Sequence, residues 1–149
     1  MNALQPRQLG QVLIAKGILS EDQLRIALLE QIKSNLPVGK LLVTLGFVTE
    51  ATLRDALSES LGKQSIDLTN AIIDPSALAL VPRDLAKRHH LLPLDFDEEH
   101  QRLTIAIADV NDIVALDRIR SLAKGAIEID TLLAGETEIA RVVDLTDRM

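Results

Sequence analysis

Residues 8–31 and 37–60 of this chain carry one pattern twice, at an offset of 29. Gly10, Leu13, Gly17, Glu21, Leu24, Arg25, Ala27, Leu28 and Glu30 recur as Gly39, Leu42, Gly46, Glu50, Leu53, Arg54, Ala56, Leu57 and Glu59, with Leu9 on Val38 and Ser20 on Thr49. A repeat of this length codes for one supersecondary unit built twice. Each copy has a glycine, a short apolar run, a second glycine seven residues on, and then a longer amphipathic stretch. That order predicts helix, turn, helix.

Gly17 and Gly46 each follow a short apolar segment, where a helix ends in the left-handed conformation that glycine adopts most cheaply. Ser20 with Gln23 is a capping-box pattern, and Thr49 before Glu50 supplies an N-cap and a charge that suits the positive helix end. Leu24, Ala27, Leu28 and Gln31, matched by Leu53, Ala56, Leu57 and Ser60, keep the spacing of one helix face. Two helical hairpins packed into a small bundle are expected.

Gly10 and Gly39 fall in the first turns of the expected helices, where glycine is worse than alanine by roughly 0.5–1 kcal/mol. Close helix contact inside the bundle, or an N-terminal position where the cost shrinks, accounts for them without a ligand. The alternative is a ligand laid against exposed backbone N–H groups.

With 47% hydrophobic and 26% charged residues in 149, the chain is long enough for one domain or two small ones. Trp and Tyr are absent and Phe occurs twice, so the core is aliphatic and platforms for stacking bases are not expected. A net charge of -6 argues against nucleic acid and anionic membrane as broad partners. The lack of cysteine removes disulfides, thiolate metal sites and a thiol nucleophile, and fits a cytoplasmic protein. No run approaches the roughly 20 apolar residues that span a bilayer, so direct membrane insertion is not expected.

The repeat stops near Leu61, and Gly62, Lys63, Gln64, Ser65 and Asp67 form a polar joint. The expected domains are therefore residues 1–62, the duplicated helix-turn-helix subdomain, and residues 63–149. Pro75 and Pro82 suit first positions of short helices, with Lys87, Arg88, His89 and His90 near the end of the second. Leu92, Leu94 and Phe96 alternate with Pro93, Asp95 and Asp97, and Leu103, Ile105 and Ile107 with Thr104, Ala106 and Ala108, which predicts a hairpin with one buried face. Asn111 or Asp112 opens a helix carrying Ile113, Leu116, Ile119 and Ala123, closed by Gly125; Ile127, Ile129, Thr131 and Leu133 read as a strand, and 136–147 as a last helix. The fold class is α+β, a helical-hairpin bundle followed by a small α/β sandwich with a roughly three-stranded sheet.

No catalytic constellation emerges. Gly39-Lys40 and Gly62-Lys63 lack the rest of a phosphate-binding P-loop, so the fragment is not expected to hydrolyse ATP. His89 and His90 are adjacent and point apart on a helix, and His100 belongs to a solvated acidic turn with Asp95, Asp97, Glu98 and Glu99. No metal site and no catalytic residue are assigned. Leu4, Ile32, Leu36 and Phe47 are candidate interface apolars, each equally readable as core.

Gln8-Leu9-Gly10, Leu13, Gly17, Leu24, Leu28 and Gln31, repeated as Pro37-Val38-Gly39, Leu42, Gly46, Leu53, Leu57 and Ser60, resemble the domain that opens many type II secretion and type IV pilus assembly ATPases. Its pattern is R-L-G-x-x-L-x-x-x-G followed by L-x-x-x-L-x-x-Q. Pro82, Leu85, Ala86, Arg88, Leu92, Pro93 and Leu94 resemble the P-x-x-L-A-x-R-x-x-x-L-P-L stretch of the same ATPases. Ala108-Asp109 with Ala115-Leu116-Asp117 resembles the strand-to-helix turn that follows.

The resemblance implies a cytoplasmic module ahead of a hexameric ATPase motor, whose ATPase domain would be its partner within the same chain. It ties that motor to the inner-membrane secretion complex through the cytoplasmic domain of a single-span membrane protein. In part of the family the twin motif binds cyclic di-GMP; carried over, the contacts would be Arg7, Gln8, Leu9, Gly10, Gln31, Val38 and Gly39. Here Gln8 and Pro37 stand in place of arginine and Ser60 in place of the second glutamine. Two phosphates would then lose their charge-assisted partners. An unrelated adaptor that shares the hairpin is the remaining reading.

Overall fold

The computed structural model describes residues 6–123 and 125–147, with the side chains of Pro6 and Arg7 left undescribed. Leu4 lies outside the described residues. The chain divides into two compact units, Met1–Gly62 and Lys63–Met149.

Among its described residues unit 1 holds four helices, α1 (Pro6–Ala15), α2 (Glu21–Ser34), α3 (Val38–Thr44) and α4 (Glu50–Leu61). Gly17 and Gly46 sit at φ +74° and +79°, so each hairpin turns on a left-handed residue that a side chain would strain. Ser20 caps α2 in both directions: its hydroxyl accepts from Gln23 N at 3.1 Å, and its own N–H donates to Gln23 Oε1 at 3.0 Å. Thr49 caps α4 with one bond, from Thr52 N at 3.1 Å. Leu9, Leu13, Leu19, Leu24 and Ala27 build the core with Val38, Leu42, Val48, Ala56 and half-buried Leu53. Each residue of the first set has its counterpart 29 positions on in the second, so the duplication is expressed as packing. Leu13 and Leu42 are fully buried at its centre. Phe47 packs against this cluster as well, so it belongs to the core and not to a free surface.

One expectation about the glycines changes. Gly39 is the second residue of α3, but Gly10 is the fifth of α1, past the first turn. The position-dependent relief available at a helix start therefore does not apply to Gly10.

Unit 2 runs α5 (Pro75–Leu78), α6 (Arg83–His89), β1 (Leu91–Asp97), β2 (Arg102–Ile107), α7 (Ile113–Leu122), β3 (Glu128–Leu133) and α8 (Glu136–Thr146), with a short 3₁₀ turn at Leu68–Asn70 ahead of α5. The sheet order is β1-β2-β3. β1 pairs antiparallel with β2, Leu91 opposite Ile107, and β2 pairs parallel with β3, Leu103 opposite Ile129. A parallel pair needs a crossover, which α7 supplies. The segment after Gly62 pairs with the C-terminal end of β3: Leu133 N donates to Gln64 O at 2.8 Å and Ile66 N to Leu133 O at 2.9 Å. The last residue of this edge is thereby paired.

The hairpin does not have one buried face. Leu91, Leu92, Pro93 and Leu94 are all buried, as are Ile105, Ala106 and Ile107 opposite them. Helices pack on this end of the sheet, so alternation survives only toward the turn, and the register shifts between Pro93 and Asp95. Pro82 is the N-cap of α6, not its first residue. Helix α7 ends at Leu122 with Ala123 extended, so Gly125, at φ +116°, lies beyond its cap. Its inward residues are Ala115 and Ile119, while Ile113 is 65% exposed. Of the expected face, Ile119 is buried and Leu116 and Ala123 half-buried, so only Ile113, the first residue of the helix, departs from it.

Candidate functional site

The residues carried over from the family pattern lie on α1, α2 and α3. Leu9 and Val38 are buried at 7% and 4% exposure and pack into the core as counterparts. Gly10 is buried against α2: a Cβ there would run into the Leu24 side chain, with Cδ2 at 2.6 Å and Cγ at 3.0 Å. At Gly39 the matching atom is Leu53 Cδ2, at 3.2 Å. Both glycines thus face the leucine of their own hairpin, and helix contact accounts for them. Pro37 caps α3 with no side-chain bond, leaving Val38 and Gly39 at first-turn positions whose N–H groups fall outside the helical ladder.

Gln8 is exposed, and the Arg7 side chain lies outside the described residues. Gln31 is half-buried, and its amide donates to Leu36 O at 3.1 Å. That bond ties the end of α2 to the segment leading into α3. The structure therefore brings Leu9, Gly10, Val38 and Gly39 together through the core, and gives Gln31 a structural role at the hairpin junction.

The ionisable side chains of unit 2 serve architecture. Asp112 caps α7 by accepting from Ala115 N at 3.1 Å, and its other oxygen lies 2.8 Å from His89 Nδ1. His90 faces Glu136 at 3.5 Å. On the hairpin turn, Asp97 accepts from the His100 ring at 2.7 Å and from its N–H at 3.2 Å. These bonds, the ring's first, hold the Asp97 carboxyl below its usual range. Among the described residues no group of His, Cys, Asp and Glu could hold a metal ion. A cavity of about 200 Å³ beside α6 and α8 is lined mainly by Leu78, Val81, Ala86, Leu92 and Val143, with Arg83 at its edge. Arg83 pairs with Asp147 there and donates to Thr146 O at 3.3 Å.

The surface is where sequence reasoning fell short. Ile26, Leu29 and Ile32 are 49%, 57% and 81% exposed on α2, with Leu36 at 38% just beyond it. Of these, Ile26 and Leu29 were readable only by setting α2 against α4, where Asp55 and Ser58 stand at the same places. Unit 2 exposes Ile72, Ile113 and Val114 at 92%, 65% and 70%. No helix among the described residues is long and apolar enough to cross a membrane.

The family described as MshEN domain matches residues 61–146. The type IV pilus assembly ATPase PilB of Myxococcus xanthus is 31% identical over 137 residues, 92% of this chain and 24% of that protein. PilB of Thermus thermophilus is 39% identical over 90 residues, 60% of this chain and 10% of its own length. The chain thus spans a quarter or less of these relatives. Among solved structures, MshE with cdg superposes at a TM-score of 0.76 with 30% identity, covering 92% of this chain and 96% of that one. The N-terminal domain of XpsE superposes at 0.71 with 22% identity over 97% of both chains, a likeness of fold.

Proposed function

Since the chain belongs to the MshEN domain family, we propose that it is the N-terminal docking module of a type II secretion or pilus assembly ATPase. It recruits a motor, carried elsewhere in the full protein, to the inner-membrane complex. The partner is the cytoplasmic domain of a single-span membrane protein, and the module works in the cytoplasm. It transmits position and force, and the motor does the chemistry.

The observation that carries this reading is the kind of surface the module offers. Asp112, Asp97 and Ser20 are engaged in caps and turns, while large apolar side chains stand in solvent, Ile113 and Val114 among them at the start of α7. It is contiguous exposed apolar surface that marks contact with another protein, and Ile113 and Val114 are adjacent. The test is calorimetry of the 149-residue chain against the partner's cytoplasmic domain. Binding at tens of micromolar or tighter is expected, weakened about tenfold by Ile113→Asp with Val114→Asp. Absence of any binding in that range ends the docking reading.

A second reading has its own support, because MshE, similar over 92% of this chain, was solved with cdg. In that reading cyclic di-GMP contacts Arg7, Gln8, Leu9, Gly10, Gln31, Val38 and Gly39. Gln8 and Pro37 offer no charge to its phosphates, and the inner side of Gly10 is filled by Leu24. Calorimetry with cyclic di-GMP decides it: heat that disappears in Gln31→Ala supports the site, and a flat titration removes it. Gly10→Val is a poor probe, since it would clash with Leu24 whether or not a ligand binds.

A further inference from the structure

Asp22, Ile26, Leu29 and Lys33 follow one another along α2 at spacings of four, three and four residues. That is the seam spacing of a helix that packs along a second helix. All four face solvent: the Asp22 side chain is 79% exposed, Ile26 49% and Leu29 57%, and Lys33 is exposed with no partner among the described residues. The inward face of α2 is a different set, Leu24 and Ala27. A solvated helix needs no second apolar stripe for folding.

The duplication supplies an internal control. At the matching places α4 and its cap carry Ala51, Asp55, Ser58 and Gly62, in a hairpin with the same core. The fold is therefore satisfied by small or polar residues at these positions, and by Asp55 and Ser58 where α2 has its two large apolar side chains. Ile26 and Leu29 serve something outside the hairpin.

The order of charges along the seam identifies what. It runs acidic, apolar, apolar, basic. Laid antiparallel against an identical helix about the midpoint of Ile26 and Leu29, it sets Ile26 of each copy against Leu29 of the other and Asp22 of each against Lys33 of the other. Parallel packing would instead set like charges together. A two-fold contact requires this self-complementarity. The flanking charges on α2 are Glu21, Arg25 and Glu30, of which Arg25 pairs with Asp22 of its own helix at 2.9 Å. In the pair, Asp22 sits between Arg25 and the partner copy's Lys33.

We propose that α2 is a homotypic interface: two copies of this chain pair antiparallel through Asp22, Ile26, Leu29 and Lys33. A seam of one 14-residue helix is smaller than a standard specific interface, so the free modules pair weakly and the contact gains strength where a larger assembly holds them near each other.

Sedimentation equilibrium of the 149-residue chain between about 10 µM and 1 mM reads this directly, a range chosen for the weak affinity of a small interface. A monomer–dimer equilibrium is expected, and Leu29→Glu abolishes it while leaving helix content by circular dichroism unchanged. Asp22→Lys and Lys33→Asp each place two like-charge pairs across the seam, and each weakens self-association about tenfold. Mixed with each other, these two variants regain it as a heterodimer, because every pair across the seam is then opposite in sign. A chain that stays monomeric throughout overturns the proposal. So does a dimer indifferent to Leu29→Glu, or a mixture that associates no better than its components. Loss of membrane-partner binding in Leu29→Glu without any self-association assigns the face to that partner and also overturns it. Unimpaired partner binding alongside loss of the dimer supports it and leaves the docking reading intact.

Discussion

Leu13 and Leu42 sit at the same depth in the two hairpins of unit 1, both fully buried, whereas Leu29 stands 57% exposed where α4 carries Ser58. The inward residues of the copies agree because one core constrains both. Their outward residues are freer to diverge, as Ile26 and Leu29 do from Asp55 and Ser58, although Glu21, Arg25 and Glu30 recur as Glu50, Arg54 and Glu59. Differences at the boundary between these regimes, at Gly10 against Gly39 and Ser20 against Thr49, show how far the copies have been tuned separately.

The largest effects are expected at the core. Leu13→Ala and Leu42→Ala each remove a fully buried side chain and should lower the stability of unit 1 by about 2–5 kcal/mol, the range for such truncations. Native-state hydrogen exchange on the amides of α1 to α4 reads this for unit 1 alone. If the copies are energetic equals, the two costs agree within about 1 kcal/mol, given the context dependence of such truncations. A larger gap means the symmetry is one of shape only.

How much of this was legible beforehand follows the same division. Caps and turns announced themselves, since Ser20, Thr49, Gly17 and Gly46 act through their own or adjacent backbone, and local chemistry is written locally. The hairpin of unit 2 was legible in position but not in burial. Leu91 to Leu94 are buried where α5, α6 and α8 pack on β1, and nothing in an alternating run records that. The inward placement expected of Ile113 fails because it is the first residue of α7, where the face it shares with Leu116 and Ile119 has already run past the packed surface. Among the site residues, the packing explanation of Gly10 and Gly39 was available, but the bond from Gln31 to Leu36 O was not, because it depends on the path of the connecting segment.

The glycines give the next effect and the sharpest contrast. Gly10→Ala drives a methyl group into Leu24, which is itself 5% exposed and has little room to retreat. Overpacking of this kind costs about 1–3 kcal/mol, against which alanine's better helix propensity returns only about 0.5–1 kcal/mol. Gly39→Ala meets Leu53 at 3.2 Å, and Leu53 is only half-buried, so a shift of a few tenths of an ångström suffices. The expected outcome in urea unfolding is a loss for the first and near neutrality for the second. Equal losses would show that the first turn of α3 is packed as tightly as the middle of α1.

The smallest contrast lies at the caps. Ser20→Ala and Thr49→Ala each delete one hydroxyl acceptor at a helix start and should cost about 1 kcal/mol apiece. The copies differ in the return bond. Gln23 reaches back to Ser20 N on α2, but its counterpart Thr52 is too short to do so and its hydroxyl meets Thr49 Oγ1 instead, at 2.7 Å. Thr52→Gln should complete the box on α4 and raise stability by a few tenths of a kcal/mol, because it pairs an N–H that water already solvates. The same reasoning sets the loss from Gln23→Ala at a similar size. Amide exchange at Ser20 and Thr49 checks both: protection at Thr49 N rises in Thr52→Gln and protection at Ser20 N falls in Gln23→Ala. Unchanged exchange at Thr49 would mean that the half-buried site of Thr52 does not let a longer side chain turn back, and that the two caps differ in backbone path as well as in side-chain length.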